Sequence, residues 1–360
     1  MNRARIRDLG IFPGTLPTGP NNAITDVEGV LVGQVTIIRD QPNVARTGVT
    51  AIVPRRGAIG LDHAFAGFQR YNGCGEMTGL QWIEETGLLS SAIVLTNTQQ
   101  VGMARDALSE FSFTHAGYGP FILPVAAETF DGFLNDMSAP ALTKDDVFTA
   151  ILSAHDGNVD EGNTGGGTGM TCYEFKGGTG TASRQVEAAG SRYTVGALVQ
   201  ANHGRRAELR VDGVPVGREI GYDRVPAPGK PPEQTADSSI IIILATDAPL
   251  LGDQCRRLAQ RAGAGLARLG GVGFDSSGDL FLAFATGNHV PYDAVRPAPV
   301  QTLPHSELDP LFAAAVESVE EAILNALAAA ETMTGAWGHT AQAIPLDELT
   351  RVMKKYQRIE

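Results

Sequence analysis

Two stretches of this 360-residue chain place serines beside an acid at the start of an apolar run. Asp237-Ser238-Ser239 leads into IIIILAT, and Asp275-Ser276-Ser277 leads through Gly278 and Asp279 into LFLAFAT. A serine hydroxyl is a weak nucleophile until a base takes its proton. The GxSxG elbow of the α/β-hydrolases, one way to supply that base, does not occur here. A second way is to make the serine N-terminal, because a free α-amine has a pKa of about 7.7–8.0 and accepts a proton near neutrality. An internal serine reaches that state by attacking the carbonyl before it, after which hydrolysis of the ester frees the amine. The polar, proline-rich APGKPPEQTADS (227–238) would let the severed ends separate. The competing use of Ser and Asp at such positions is turn and strand-start chemistry, which needs no catalysis.

Whether the two serines meet depends on the segments that carry them. Ile240–Ala245 is continuously apolar, as in a strand covered on both faces. Pro249 suits the first turn of a helix, and Leu251, Cys255, Leu258, Ala262 and Leu269 recur at one-face helical spacing before Gly270 and Gly271 end it. A second apolar strand starts at Asp279. A crossover helix between two strands of one sheet makes them parallel and brings both starts to the same edge. If these two strands share a sheet, Ser239 and Ser277 lie close together with Asp279 just inside the second strand, either as a proton-transfer network or as ordinary strand-start and turn residues.

Upstream, ITDVEGVLVGQVTII predicts a strand or hairpin, EMTGLQWIEETGLL a helix ended by Gly87, and SSAIVLTNT a strand. GMARDALSEFSF predicts a short helix, PFILPVAAETFDG a strand running into an acidic turn, and TKDDVFTAILSAH a helix capped by Thr143. RYTVGALVQANHG returns to strand, and SELDPLFAAAVESVEEAILNALAAAETM reads as a long alanine-rich helix. The alternation indicates α/β layers. Residues 159–184, VDEGNTGGGTGMTCYEFKGGTGTASR, are predicted as a loop too glycine-rich for a regular element. That loop lacks the GK[ST] of a phosphate cradle and the strand-to-helix setting of GxGxxG. Close backbone packing around a small pocket is expected instead.

Composition narrows the function. At 43% hydrophobic and 19% charged residues, the chain suits a globular protein with a substantial core. A formal charge of −12 argues against nucleic acid or an anionic membrane as partner. Three well-separated cysteines, Cys74, Cys172 and Cys255, fit a reduced, cytoplasmic setting better than a disulfide framework. No signal-peptide pattern or membrane-spanning run is expected. None of the seven histidines falls in a metal-ligand pattern, so neither a metal nor a cofactor is expected. His203, beside Asn202, reads either as pocket lining or as an ordinary surface histidine.

Taken in order, GPNNAITDVEGVLVGQ, NGCGEMTG, VLTNT, PVAAETFDGFLND, GGGTGMTCYEFKGGTGTASR, VQANHG, SIIIILATDAPL and SGDLFLAF resemble the DmpA and β-aminopeptidase family, the self-processing L-aminopeptidase/D-esterase enzymes. The resemblance runs almost end to end. It implies a single catalytic domain with a four-layer αββα sandwich, like N-terminal nucleophile hydrolases but with different strand connectivity. It implies cleavage of the Ser238–Ser239 bond into fragments 1–238 and 239–360, with Ser239 as nucleophile. By position, Ser277 would contact the nucleophile or its amine, Asp279 would complete the network, and Asn202 would stabilise the oxyanion. Glu128 would hold the free amino group of a small peptide, amide or ester substrate, with Phe130 beside it. Relatives form assemblies of four protomers, so a homo-oligomer is expected. The chain departs from the family pattern at Ser238, where Gly or Asn is commoner, at Asp279, where some relatives carry Glu, and at Gln34, where many carry His. Two other functions stay open at this level: acyl transfer to an amine, as in the related ornithine acetyltransferases, and non-catalytic binding of a small molecule.

Overall fold

The computed structural model describes residues 3–57, 59–115, 122–228 and 239–360. Along the chain the strands are β1 (Leu31–Arg39), β2 (Ala45–Val53), β3 (Asp62–Arg70), β4 (Leu88–Leu89), β5 (Ile93–Asn97), β6 (Val125–Thr129), β7 (Gly178–Ala188), β8 (Ser191–Asn202), β9 (Ser239–Thr246) and β10 (Gly278–Pro291). The helices are α1 (Leu80–Thr86), α2 (Val101–Thr114), α3 (Lys144–Leu152), α4 (Gly252–Arg268), α5 (Asp309–Ala329) and α6 (Leu346–Lys355). Two sheets result. One has the order β1-β2-β5-β6, and the other β4-β3-β10-β9-β8-β7.

Three hydrophobic interfaces stack these sheets and helices into the αββα sandwich. Outermost on one side, α4 and α5 cover the six-stranded sheet through Leu258, Ala262, Val319 and Ile323. Between the sheets lie Ile52, Ile93, Leu95, Val125 and Leu282. On the far side α2 and α3 cover the smaller sheet through Leu108, Phe111, Val147 and Ile151. Strand β9 shows how one sequence serves two layers. Side chains alternate across a strand, so Ile240, Ile242 and Leu244 face the helices while Ile241, Ile243 and Ala245 face the other sheet. This is why the run is apolar without a break.

The expected crossover is present. Strand β9, helix α4 and strand β10 follow in order, and β9 and β10 pair in parallel, Ser239 opposite Gly278 and Ile240 opposite Asp279. On its other edge β9 runs antiparallel to β8, with Asn202 opposite Ser239. Three strand ends therefore meet at one edge of the sheet.

Two expectations need correcting. The glycine-rich 159–184 is not all loop, because 178–184 forms the first half of β7. Its glycines are there because α5 lies against the strand's backbone: a Cβ on Gly180 would sit 2.0 Å from the Ala322 carbonyl oxygen. A side-chain pattern cannot reveal a strand whose contact surface is main chain. Pro249 lies ahead of α4 and not in its first turn, since Leu251 is the N-cap residue. Among the described residues no helix is long and apolar enough to cross a membrane.

Candidate active site

Ser239 opens β9 and is buried, as are Asn202, Ser277 and Asp279. Its Oγ accepts the Gly278 backbone N–H at 3.1 Å. The neighbouring strand supplies the acid: Asp279 Oδ1 accepts the Ser277 hydroxyl at 2.7 Å and the Ile240 backbone N–H at 3.2 Å. The carboxyl thus holds both the second serine and the residue directly after the first. Burial raises its pKa from 3.8 to about 6, against the lowering effect of those two donors. A carboxyl in that range exchanges protons near neutral pH.

The turn after β3 fastens this edge. Tyr71 and Asn72 N–H groups donate to the Asp279 carbonyl, Asp279 N–H donates to the Asn72 carbonyl, and Cys74 N–H donates to the Ser277 carbonyl, all at 3.0–3.2 Å. Gly278 has to be glycine, because a Cβ there would lie 2.3 Å from the Cys74 carbonyl oxygen. The same turn then crosses to the other sheet, where Thr78 N–H meets the Ala126 carbonyl at 2.9 Å.

Glu128, in β6, lies where that crossing lands. Its Oε1 accepts the Glu76 N–H at 2.9 Å and its Oε2 accepts the Thr98 hydroxyl. A methyl placed on Gly75 would lie 3.0 Å from Gly278 Cα and 3.3 Å from Glu128 Oε1, so this carboxylate and the serine edge flank the same glycine. Burial raises its pKa, and the two donors oppose the rise. A cation arriving here would restore the charge that burial disfavours.

Asn202 ties the sheets together on the other side. Its Oδ1 accepts the Thr171 N–H at 2.8 Å, which turns its amide nitrogen toward the Phe130 carbonyl, 2.9 Å away. Phe130 contributes that carbonyl, and its half-buried ring packs over Gly132. Gln200, two residues before Asn202, bridges the sheets again through the Thr96 carbonyl and the Thr129 hydroxyl, both at 2.8 Å.

The structure thus gathers Ser239, Ser277, Asp279 and Asn202 at one sheet edge and brings Glu128 and Phe130 to it through two interstrand connections. Ser238 lies outside the described residues. His203 is not a surface residue: it is buried against the Tyr173 ring at a centroid distance of 4.9 Å, and burial lowers its pKa to about 3. Its ring lines a small cavity with Gly204, Phe274, Ser277 and Asp279, behind the strand edge. Sequence reading missed Thr98, Asp131 and Lys176. Asp131, directly after Phe130, is fully buried against Asn135 and Thr47, and burial raises its pKa to about 7. Its position in AAETFDG, one residue beyond an aromatic in an acidic turn, was the available signal.

Residues 22–341 match the profile of peptidase family S58. The chain is 45% identical to the β-peptidyl aminopeptidase of Sphingosinicella microcystinivorans, over 99% of this chain and 93% of that one. Among solved structures, the L-aminopeptidase D-Ala-esterase/amidase of Ochrobactrum anthropi superposes with a TM-score of 0.91 at 46% identity, over 99% of each chain. A β-aminopeptidase from a Burkholderia species superposes with a TM-score of 0.90 at 46% identity, over 98% of this chain and 99% of that one. The match takes in both sheets and every residue of the serine edge, so the chain belongs to peptidase family S58 and is a hydrolase of peptide or amide bonds.

Proposed function

We propose that this S58 peptidase is a self-processing serine aminopeptidase and amidase, with Ser239 as nucleophile. In processing, Ser239 Oγ attacks the carbonyl carbon of Ser238, the peptide C–N bond breaks, and the acyl group moves from nitrogen to oxygen. Water then hydrolyses the ester, leaving a carboxylate on Ser238 and a free α-amine on Ser239. In turnover that amine takes the Ser239 hydroxyl proton as Oγ attacks the substrate carbonyl and returns it to the leaving amine; water then attacks the acyl-enzyme ester, which releases the acid and restores the Ser239 hydroxyl. Asp279 and Ser277 hold the network through which the proton is steadied. To the Asn202 side-chain amide, which lies opposite Ser239 across the strand pair, we assign stabilisation of the oxyanion.

Glu128 sets specificity. A buried carboxylate opposing an ammonium accounts for a requirement for a free amino terminus. Names of the relatives span β-peptidyl, L-amino and D-Ala substrates, and we assign to this chain small substrates that begin with an unblocked amino acid.

The observation that carries this reading is the meeting of Ser239, Ser277, Asp279 and Asn202 at one edge, with Ser239 the first residue of its strand. Intact-mass analysis tests it. Wild-type protein should give two fragments, one of which starts at Ser239, while Ser239→Ala should stay a single chain with no hydrolysis of alanine p-nitroanilide. Uncleaved wild-type protein that turns over this substrate would end the assignment.

A further inference from the structure

Lys176 is fully buried, and among the described residues no acidic side chain compensates its charge; the one interacting neighbour in that respect is the Cys172 thiol. Burying an ammonium without a counter-ion is unfavourable by several kcal/mol, so its hydrogen bonds have to be good ones. Its Nζ donates to three backbone carbonyls, those of Gly177 at 2.7 Å, Met170 at 2.9 Å and Gly167 at 3.4 Å. All three belong to the glycine-rich segment packed between the two sheets, where a Cβ on Gly167 would meet the Thr179 backbone nitrogen at 2.1 Å.

The Met170 carbonyl is the informative contact. It shares a planar peptide unit with the Thr171 N–H, so fixing the oxygen fixes the direction of the hydrogen. That N–H is the group that donates to Asn202 Oδ1 at 2.8 Å. A donor on the carbonyl end also polarises the peptide and strengthens its own N–H as a donor. The Gly177 N–H adds a second bond to the same carbonyl, at 2.9 Å. Contacts therefore run from Lys176 through one peptide plane to the orientation of the Asn202 amide.

The geometry points to Lys176 as a positioning residue: by clamping the 170–171 peptide it keeps the Asn202 amide nitrogen turned toward the reacting carbonyl. This inference rests on the proposed oxyanion role of Asn202. It assigns the buried amine no contact with substrate.

A double-mutant cycle in kcat tests it, with alanine p-nitroanilide as substrate and the isolated processed enzyme in each case. Lys176→Met keeps length and volume and removes the donors. In the wild-type background it should lower kcat about tenfold or more, less than the about 10²–10³ lost with an oxyanion donor itself, and leave KM within about threefold. In the Asn202→Ala background the same change should lower kcat less than twofold, because the group it orients is gone. Lys176→Gln, which retains one donor and a polar tip, should recover part of the loss and serves for the cycle if the methionine variant does not fold. Full-strength kcat in the Lys176 variants, or losses that multiply with that of Asn202→Ala, would show a staple for the loop and nothing more, while leaving Asn202 as the oxyanion donor. An unaltered kcat in Asn202→Ala alone would remove that donor role and this inference with it.

Discussion

Replacing Asp279 by asparagine should make the unprocessed protein more stable at pH 8 while abolishing efficient hydrolysis in the processed one. Asp279 is 1% exposed, and burial raises its pKa from 3.8 to about 6. Between those values the native state binds more protons than the unfolded state, so stability falls as pH rises through this window. Below about pH 3 the group is protonated in both states and contributes no penalty; above about pH 7 the penalty is complete. A shift of this size corresponds to about 3 kcal/mol. Asparagine keeps an oxygen that can accept from the Ser277 hydroxyl and the Ile240 N–H, and it buries no charge. The stability difference between Asp279→Asn and its parent should thus grow from near zero at about pH 3 to as much as about 3 kcal/mol at pH 8. Urea denaturation in a Ser239→Ala background, where the chain stays continuous, measures it at a series of pH values. A difference that does not change between pH 4 and pH 8 would mean that this carboxyl ionises alike in the folded and unfolded chain, and the account of its burial would be wrong.

The other expectations concern specificity and the frame. Glu128→Gln removes the charge from the buried carboxylate proposed to bind the substrate ammonium; a charged hydrogen bond contributes about 1.5–3 kcal/mol, so kcat/KM for free-amine substrates should fall about 10–100-fold. The comparison is a substrate ester carrying an N-acetyl group, whose slow hydrolysis should not fall further; an equal loss on both would show damage to the chemistry and not to amine recognition. Arg184 is buried against Glu317 and Glu321, at 3.0 and 2.6 Å, beneath the N-terminal segment. Arg184→Met leaves those carboxylates short of their partner and should lower unfolding free energy by about 3–5 kcal/mol in denaturant titrations. A drop below about 1 kcal/mol would show that Arg7, which also contacts Glu321, suffices.

Much of the serine edge was legible because its cause is local. Two apolar runs joined by one helix run parallel if they share a sheet, and parallel strands so joined start at the same edge. That argument needs only spacing, and it brings Ser239, Ser277 and Asp279 to one place without any tertiary knowledge. Asn202 is different. Its arrival beside Ser239 depends on antiparallel pairing across the 229–238 segment and on register, and spacing alone specifies neither. Glu128 is further still, since it reaches the site on a second sheet by way of a turn at 72–78. The resemblance of the motifs, and not their physics, singled it out. Lys176 and the strand at 178–184 were hidden for a common reason: both are explained by main-chain atoms, carbonyls in one case and a helix backbone in the other. A sequence displays side chains, and partners made of backbone leave little trace in it beyond glycine.

The position of Ser239, the proposed nucleophile, at the start of β9 would also let the chain be cut there and keep its site. All eight residues of the strand are buried, with β8 on one edge and β10 on the other. Its side chains enter both the helix-facing core and the core between the sheets. Scission ahead of Ser239, as proposed, would remove none of these contacts, because every one belongs to residue 239 or later and to elements that stay paired with it. The new amine would remain on a rigid strand, one residue from the Ile240 N–H that Asp279 holds. A nucleophile at the tip of an exposed loop would have the opposite outcome, with the freed terminus dispersing over many conformations. On this proposal the continuous apolar run after Ser239 is part of the chemistry: it would immobilise the amine that cleavage would create.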